Sequence, residues 1–189
     1  MPRTKSERTK TAILGAATRA FESREFHEVL TDDIAAGAGI GKATLYRYFG
    51  TKEDLYFATI LQGFDELHAA LERPTRSGSA RERLSRVAVE IVRIFGKRPS
   101  FYRLLHESEL HLRERERLLL RHRARTLRMI KGIIDEGIVA GELRPIDSRL
   151  RAEFFLGIVR AALLYRRETD TPEYLREEIL AAFFDGASA

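Results

Sequence analysis

Five side chains able to hydrogen-bond outward fall within seven consecutive residues: Lys42, Thr44, Tyr46, Arg47 and Tyr48. Placed on a helix over Lys42–Phe49, Leu45 and Phe49 are four apart and turn to the core. Lys42 and Tyr46 share a second face, Ala43 and Arg47 a third, and Thr44 and Tyr48 lie between. A helix this short, with so many donors turned outward, does little as a structural element by itself. The chemistry it suits is recognition of a polyanion in a major groove. Phosphates accept from Tyr and Thr hydroxyls and from Lys, while base edges accept from Lys and Arg. Lys52 extends the set. It stands in the first turn of the next helix, where a cation opposes the helix dipole, and a phosphate bound at that helix end would remove the misfit.

A second group with reactive potential is His106-Glu-Ser-Glu-Leu-His111. Its histidines are five apart and diverge by about 140° on a helix, so it is not the HExxH zinc pattern. Glu107 and His111 are four apart and could share a metal with a distant ligand, or be polar residues of a pocket or surface. There is no nucleotide loop and no nucleophile elbow. Accordingly no catalytic residue, metal ligand or cofactor is assigned.

The elements that must position Lys42–Phe49 are helical. Residues 1–8 read as a basic arm carrying Arg3, Lys5 and Arg8. Thr9–Phe21 reads as a first helix with Ile13, Ala16, Ala17, Ala20 and Phe21 on one face; its alanines let another helix come close, and Phe26 is placed to cover the small core. Thr31 is the expected N-cap of a second helix, with Asp32 and Asp33 in its first turn and Ile34, Ala35 and Ala38 inward. Gly37, Gly39 and Gly41 make a sharp break, with Gly39 free to take the positive φ of the turn.

Gly50 ends the third helix. Thr51-Lys-Glu-Asp54 is a capping box opening a fourth, whose stripe of Tyr56, Ile60, Phe64, Leu67 and Leu71 runs to about Glu72. The segment Arg73–Ser79 is rich in turn formers. A second capping box, Ser79–Glu82, starts a fifth helix with Leu84, Val87, Ala88, Ile91 and Phe95. A sixth carries Phe101, Leu104, Leu105 and Ser108. The seventh, about Glu114–Glu136, is dense in arginine on the side away from Leu120, Leu127, Ile130 and Ile134, the arrangement of a solvated face. Asp147 caps an eighth helix that is apolar nearly all round from Phe154 to Tyr165, so one side should meet its own domain and the other a second subunit. Thr171-Pro172 opens a ninth, with Leu175, Ile179, Leu180, Phe183 and Phe184 inward. No segment has the period of a strand.

Composition agrees. The 189 residues hold 44% hydrophobic residues, a formal net charge of +5 and no cysteine, which excludes disulfides and thiolate zinc sites. Nine Lys/Arg against six Asp/Glu in residues 1–52 put +3 of that charge in the first quarter, as suits a nucleic-acid partner. No apolar run approaches the ~20 residues of a membrane span and the polar N-terminus is no signal peptide, so a cytoplasmic protein is expected.

Gly39-Ile-Gly-Lys-Ala-Thr-Leu-Tyr-Arg-Tyr-Phe-Gly-Thr-Lys-Glu-Asp-Leu55, preceded by Thr31, Ile34 and Ala35, closely resembles the tetracycline-repressor (TetR) family signature. That signature has a small residue and Thr or Ser before Leu-Tyr-x-(His/Tyr)-Phe, then a short break and Lys-x-x-Leu. The resemblance is specific over about residues 9–56; beyond them only the succession of helices matches. It implies an all-α homodimer of about nine helices, with an N-terminal three-helix helix-turn-helix domain (residues 1–54) and a C-terminal ligand-binding and dimerisation domain (residues 55–189). By position, Thr31, Tyr46 and Lys52 would contact phosphates and Lys42, Ala43 and Thr44 would face bases. Tyr48 would contact backbone or base, and Arg47 takes a position that often faces solvent. Asp32 departs from the pattern, because an acid there cannot hold a phosphate.

The function expected is that of a ligand-responsive transcriptional regulator. It would be a repressor, released from a palindromic double-stranded DNA operator by an unidentified small molecule and dimerising through the eighth and ninth helices. Phe95, Phe101, Leu105, His106, Ile130 and Phe155 are inward residues that could line the effector pocket, or simply pack the core. The alternative is a small-molecule-binding or enzymatic helical domain that kept the fold without operator binding.

Overall fold

In a computed structural model, residues 4–72, 77–96 and 113–186 are described; every described element is helical. Helix α1, Lys5–Ser23, begins at a capping box, four residues before the Thr9 start expected from the sequence. The Thr4 side chain accepts from Glu7 N–H at 3.2 Å and Glu7 Oε2 accepts from Thr4 N–H at 2.7 Å. Lys5 and Arg8 therefore ride on a helix and not on an arm, because two otherwise orphaned donors are satisfied reciprocally four residues earlier than expected; Arg3 lies outside the described residues. Ile13, Ala16, Ala17 and Phe21 are its buried face.

After a single 3₁₀ turn, Phe26–Glu28, comes α2, Thr31–Gly37. Thr31 is not its N-cap. Leu30 holds that place without a side-chain bond, and Thr31 is the first helical residue, with its side chain turned inward. The small face of α1 accepts α2 closely: a Cβ added at Gly37 would stand 3.5 Å from that of Ala16. At the end of α2, Gly39 takes φ +67° and the Ile40 N–H reaches Ala35 O at 3.0 Å, closing the helix before α3, Lys42–Phe49. Helix α4, Lys52–Leu71, starts on the expected capping box: Asp54 N–H to Thr51 Oγ1 at 3.0 Å and Thr51 N–H to Asp54 Oδ2 at 3.1 Å.

The chain divides into two compact units, with the break inside α4 between Gly63 and Phe64. The first has a core of Ile13, Ala17, Phe21, Ile34, Leu45, Leu55, Tyr56 and Ile60. Phe26 closes it as expected, with ring centroids 5.8 Å from Phe21 and 5.2 Å from Tyr56.

The second unit holds the end of α4 and four further helices: α5 (Ala80–Phe95), α6 (Arg113–Val139), α7 (Ser148–Tyr165) and α8 (Pro172–Phe184). The sixth helix expected from the sequence falls outside the described residues, so α6, α7 and α8 are the seventh, eighth and ninth of that reading. Their caps are as read: Ser79 with Glu82, Asp147 accepting from the N–H groups of Arg149 and Leu150, and Thr171 before Pro172. Helix α5 packs on α6, α7 and α8, and α7 on α6 and α8. At Gly137 an added Cβ would lie only 2.6 Å from Ala80 Cβ, so the absence of a side chain there lets α6 meet the start of α5. Arg117, Arg121, Arg123, Arg125 and Arg128 are exposed along α6, and two reach carboxylates, Arg123 to Glu153 and Arg125 to Glu72.

Candidate nucleic-acid interface and a polar cluster on α4 and α6

Helix α3 is held by Leu45 and Phe49, 0% and 7% exposed. With those two residues committed to the core, the other side chains of α3 have only the outer faces left to them. Lys42, Ala43 and Arg47 are exposed, and Thr44, Tyr46 and Tyr48 are half-buried.

Two of the three expected phosphate contacts come together. The Tyr46 hydroxyl lies 3.1 Å from Thr31 Oγ1, joining α3 to the start of α2 and fixing where the phenol ends. Tyr48 donates to Ser6 Oγ at 3.3 Å, so α1 also orients an α3 side chain. The Arg47 guanidinium stands 5.9 Å over the Tyr48 ring.

Lys42 and Asp32 form an ion pair that sequence spacing did not suggest. The ammonium is 3.1 Å from the carboxylate, and both side chains are more than half exposed. Asp32, the departure from the family pattern, thus faces the foremost cation of α3.

Lys52 does not stand free at the end of α4. Its ammonium lies 4.6 Å over the Phe26 ring and 3.5 Å from His27 O. This resolves the dipole misfit with an intramolecular partner, and the partial burial lowers its pKa.

Of the expected effector-pocket residues, Phe95, Ile130 and Phe155 lie in the core of the second unit, each no more than 2% exposed. Phe155 meets Phe183 edge-on at 5.0 Å and Phe95 meets Phe64 at 5.0 Å. Phe101, Leu105 and His106 lie outside the described residues, as do Glu107 and His111. On the outer side of α7 and α8, Phe154, Leu164, Tyr165 and Tyr174 are 59%, 42%, 80% and 49% exposed.

No metal ligands are expected from the sequence, yet the second unit gathers three side chains of ligating type: Asp65 and His68 on α4 and His122 on α6. The signal available in the sequence was only the i, i+3 spacing of Asp65 and His68; His122 is 54 positions further on. His68 is 1% exposed. Its Nε2 is 3.1 Å from Thr126 Oγ1, while the Thr126 hydroxyl donates to His122 O at 3.2 Å. With its proton so committed, Thr126 accepts from His68, which makes Nε2 the protonated nitrogen. Nδ1 is then a bare lone pair, buried and without a partner. Burial, with Arg125 and His122 adding to it, pushes the His68 pKa down to about 4, so the ring is neutral at pH 7.

The first unit is thus a short, outward-facing donor helix set behind a glycine turn on two supporting helices, which defines a helix-turn-helix DNA-binding protein. The sequence profile of bacterial regulatory proteins of the tetR family matches residues 13–59, and that of the tetracyclin repressor-like C-terminal domain matches residues 77–164. The chain belongs to the TetR family of transcriptional regulators. It is 33% identical over 98 residues to the transcriptional activator FasR of Mycolicibacterium smegmatis, a match covering 51% of this chain and 45% of that protein. It is 27% identical over 154 residues to the fatty acid metabolism regulator protein of Bacillus subtilis, covering 78% and 77%. The solved structure of B. subtilis FadR in complex with stearoyl-CoA shares the fold at a TM-score of 0.73 and 21% identity, covering 95% of this chain and all of that one. Among the described residues no helix is long and apolar enough to cross a membrane.

Proposed function

We propose that this chain is a ligand-responsive transcriptional repressor that binds a palindromic operator as a homodimer and is released by a small-molecule inducer. The observation that carries this reading is α3, whose Lys42, Thr44, Tyr46, Arg47 and Tyr48 stand outward while Leu45 and Phe49 anchor it. Tyr46 and Thr31 form a paired hydroxyl contact for one phosphate, and Lys52 supplies a further phosphate contact from the start of α4. Lys42, Ala43 and Thr44 face the bases, and Tyr48 and Arg47 complete the groove contacts. Two such helices, one from each subunit, enter successive major grooves ~34–36 Å apart. The exposed apolar row on α7 and α8 supports pairing of these helices with those of a second copy.

The effector binds in the second unit, among α5, α6 and α7, where Phe95, Ile130 and Phe155 supply an apolar surround; Phe101, Leu105 and His106 belong to the same proposed set. The effector stabilises a form that binds operator poorly, so effector and DNA oppose each other by a coupling of ~1–3 kcal/mol. The relation to a fatty acid metabolism regulator makes stearoyl-CoA the first compound to try.

The test is an electrophoretic shift on DNA flanking the chain's own gene. Sequence-specific, salt-sensitive binding that stearoyl-CoA relieves supports the whole reading. Specific binding that it leaves unchanged removes that effector and keeps the regulator. Absence of specific binding overturns the repressor. A fall in reporter transcription when the gene is deleted assigns an activator, as the likeness to FasR allows.

A further inference from the structure

We propose that Asp65, His68 and His122 form a binding site for one borderline divalent transition-metal ion of the zinc class, tying α4 to α6. One ligating atom from each of the three lies within 4.8 Å of the others. A tetrahedral ion with bonds of ~2.0–2.1 Å needs its ligands roughly 3.3–3.5 Å apart, so the three must close in by about an ångström. His122 Nδ1 and Asp65 Oδ1 are already 3.9 Å apart. Asp65 is on the open side, its side chain 70% exposed, and can swing inward.

The hydrogen bonds around His68 are those of a ligand held ready. A metal-bound imidazole donates its other N–H to a fixed acceptor, which sets the tautomer and the ring orientation. Here Thr126 is that acceptor, itself fixed by the His122 carbonyl. The remaining nitrogen, Nδ1, is buried without a hydrogen bond and so has its lone pair open to a ligand. The His68 and His122 rings are parallel within 3° at a centroid distance of 5.6 Å, and Phe64 packs against His122 at 5.3 Å, which limits how far that ring can turn.

Two imidazoles and one carboxylate favour Zn²⁺, Co²⁺ or Ni²⁺ over Mg²⁺ or Ca²⁺, which take oxygen ligands. Three protein ligands leave a fourth position for water or for an oxygen of a bound molecule. The site lies wholly within the second unit and does not depend on the operator reading.

The test uses the full chain freed of metal by chelator and dialysis, with ZnCl₂ followed by calorimetry and CoCl₂ by visible absorption. One ion per chain is expected, with the intense visible bands of tetrahedral Co²⁺. Zn²⁺ at 100 times its Kd should raise Tm by roughly 5–10 °C. Asp65→Asn and His122→Ala change exposed or half-buried positions and should leave the fold intact while weakening binding at least 10-fold. Thr126→Val should weaken it roughly 10–100-fold, with Thr126→Ser restoring it, as a positioning residue requires. No binding to the wild-type chain at micromolar Zn²⁺ overturns the proposal. So does binding that survives both Asp65→Asn and His122→Ala, or that is lost only on replacing His106 and His111.

Discussion

Replacing Asp32 by Asn should tighten DNA binding, which is unusual for a substitution at an interface. The carboxylate is 3.1 Å from the Lys42 ammonium, and the side chains are 64% and 54% exposed. An exposed pair of this kind contributes ~0.2–1 kcal/mol, which is released when DNA competes for the lysine. Asp32 also repels the duplex. One unit charge about 8 Å from a phosphate costs roughly 0.5 kcal/mol in water, and about 0.2 after screening at physiological salt. Together these give ~0.4–1.2 kcal/mol, or about 2–8-fold tighter binding. Fluorescence anisotropy with a labelled operator duplex, titrated from 50 to 200 mM salt, measures both affinity and slope. If the freed Lys42 goes to a base edge, the slope stays near that of the wild type. If it goes to a phosphate, the slope of log K against log salt steepens by about 0.9. Unchanged or weaker binding at 50 mM salt would refute the reasoning and make Asp32 an aid that aims Lys42. Thermal stability should change by no more than about 1 kcal/mol in either case.

Tyr46→Phe removes the hydroxyl shared with Thr31 and should weaken binding by ~0.5–1.5 kcal/mol, equally across duplex sequences; a changed base preference in a binding-site selection would contradict the phosphate role. Lys42→Ala should instead relax specificity at one base pair, by ~1–3 kcal/mol of discrimination, and uniform weakening would move Lys42 to the backbone. The lowered pKa of His68, about 4, sets a pH dependence in the metal-free protein. The folded state binds fewer protons than the unfolded state between about pH 6.5 and 4, so stability is full above 6.5 and falls as pH drops through that window. The loss should reach about 2–3 kcal/mol, seen as a falling urea midpoint that His68→Gln flattens. Gly137→Ala places a methyl 2.6 Å from Ala80 Cβ and should cost a net ~1–2 kcal/mol despite the better helix propensity of alanine. A calorimetric Tm at or above that of the wild type would show that α6 can shift away from α5.

The local parts of the fold were legible because their causes are local. Thr51 with Asp54, Ser79 with Glu82, Asp147 and Thr171-Pro172 each satisfy the first N–H groups of a helix from within four residues, and that chemistry is written in the spacing. The same holds for the positive φ of Gly39 and for Leu45 and Phe49 as the buried face of α3. Thr4 with Glu7 is equally local, and it carries the helix back through the basic residues Lys5 and Arg8. Thr31 had the chemistry of a cap, but tertiary contact with Tyr46 turned its hydroxyl inward instead.

The sequence by itself therefore determined an all-helical chain with a helix-turn-helix near its start, a donor-rich outward face on α3, and the family to which both belong. Only the tertiary structure decided which charges and hydroxyls meet. Lys42 meets Asp32 ten positions away, Tyr48 meets Ser6 forty-two away, and His68 meets Thr126 fifty-eight away. The reason is physical. A helix fixes neighbours three and four residues apart by its own geometry, whereas the distance between two helices is set by the packing of everything between them. The cluster of Asp65, His68 and His122 exists only because Ile130, Ile134 and their partners seat α6 in the core of the second unit.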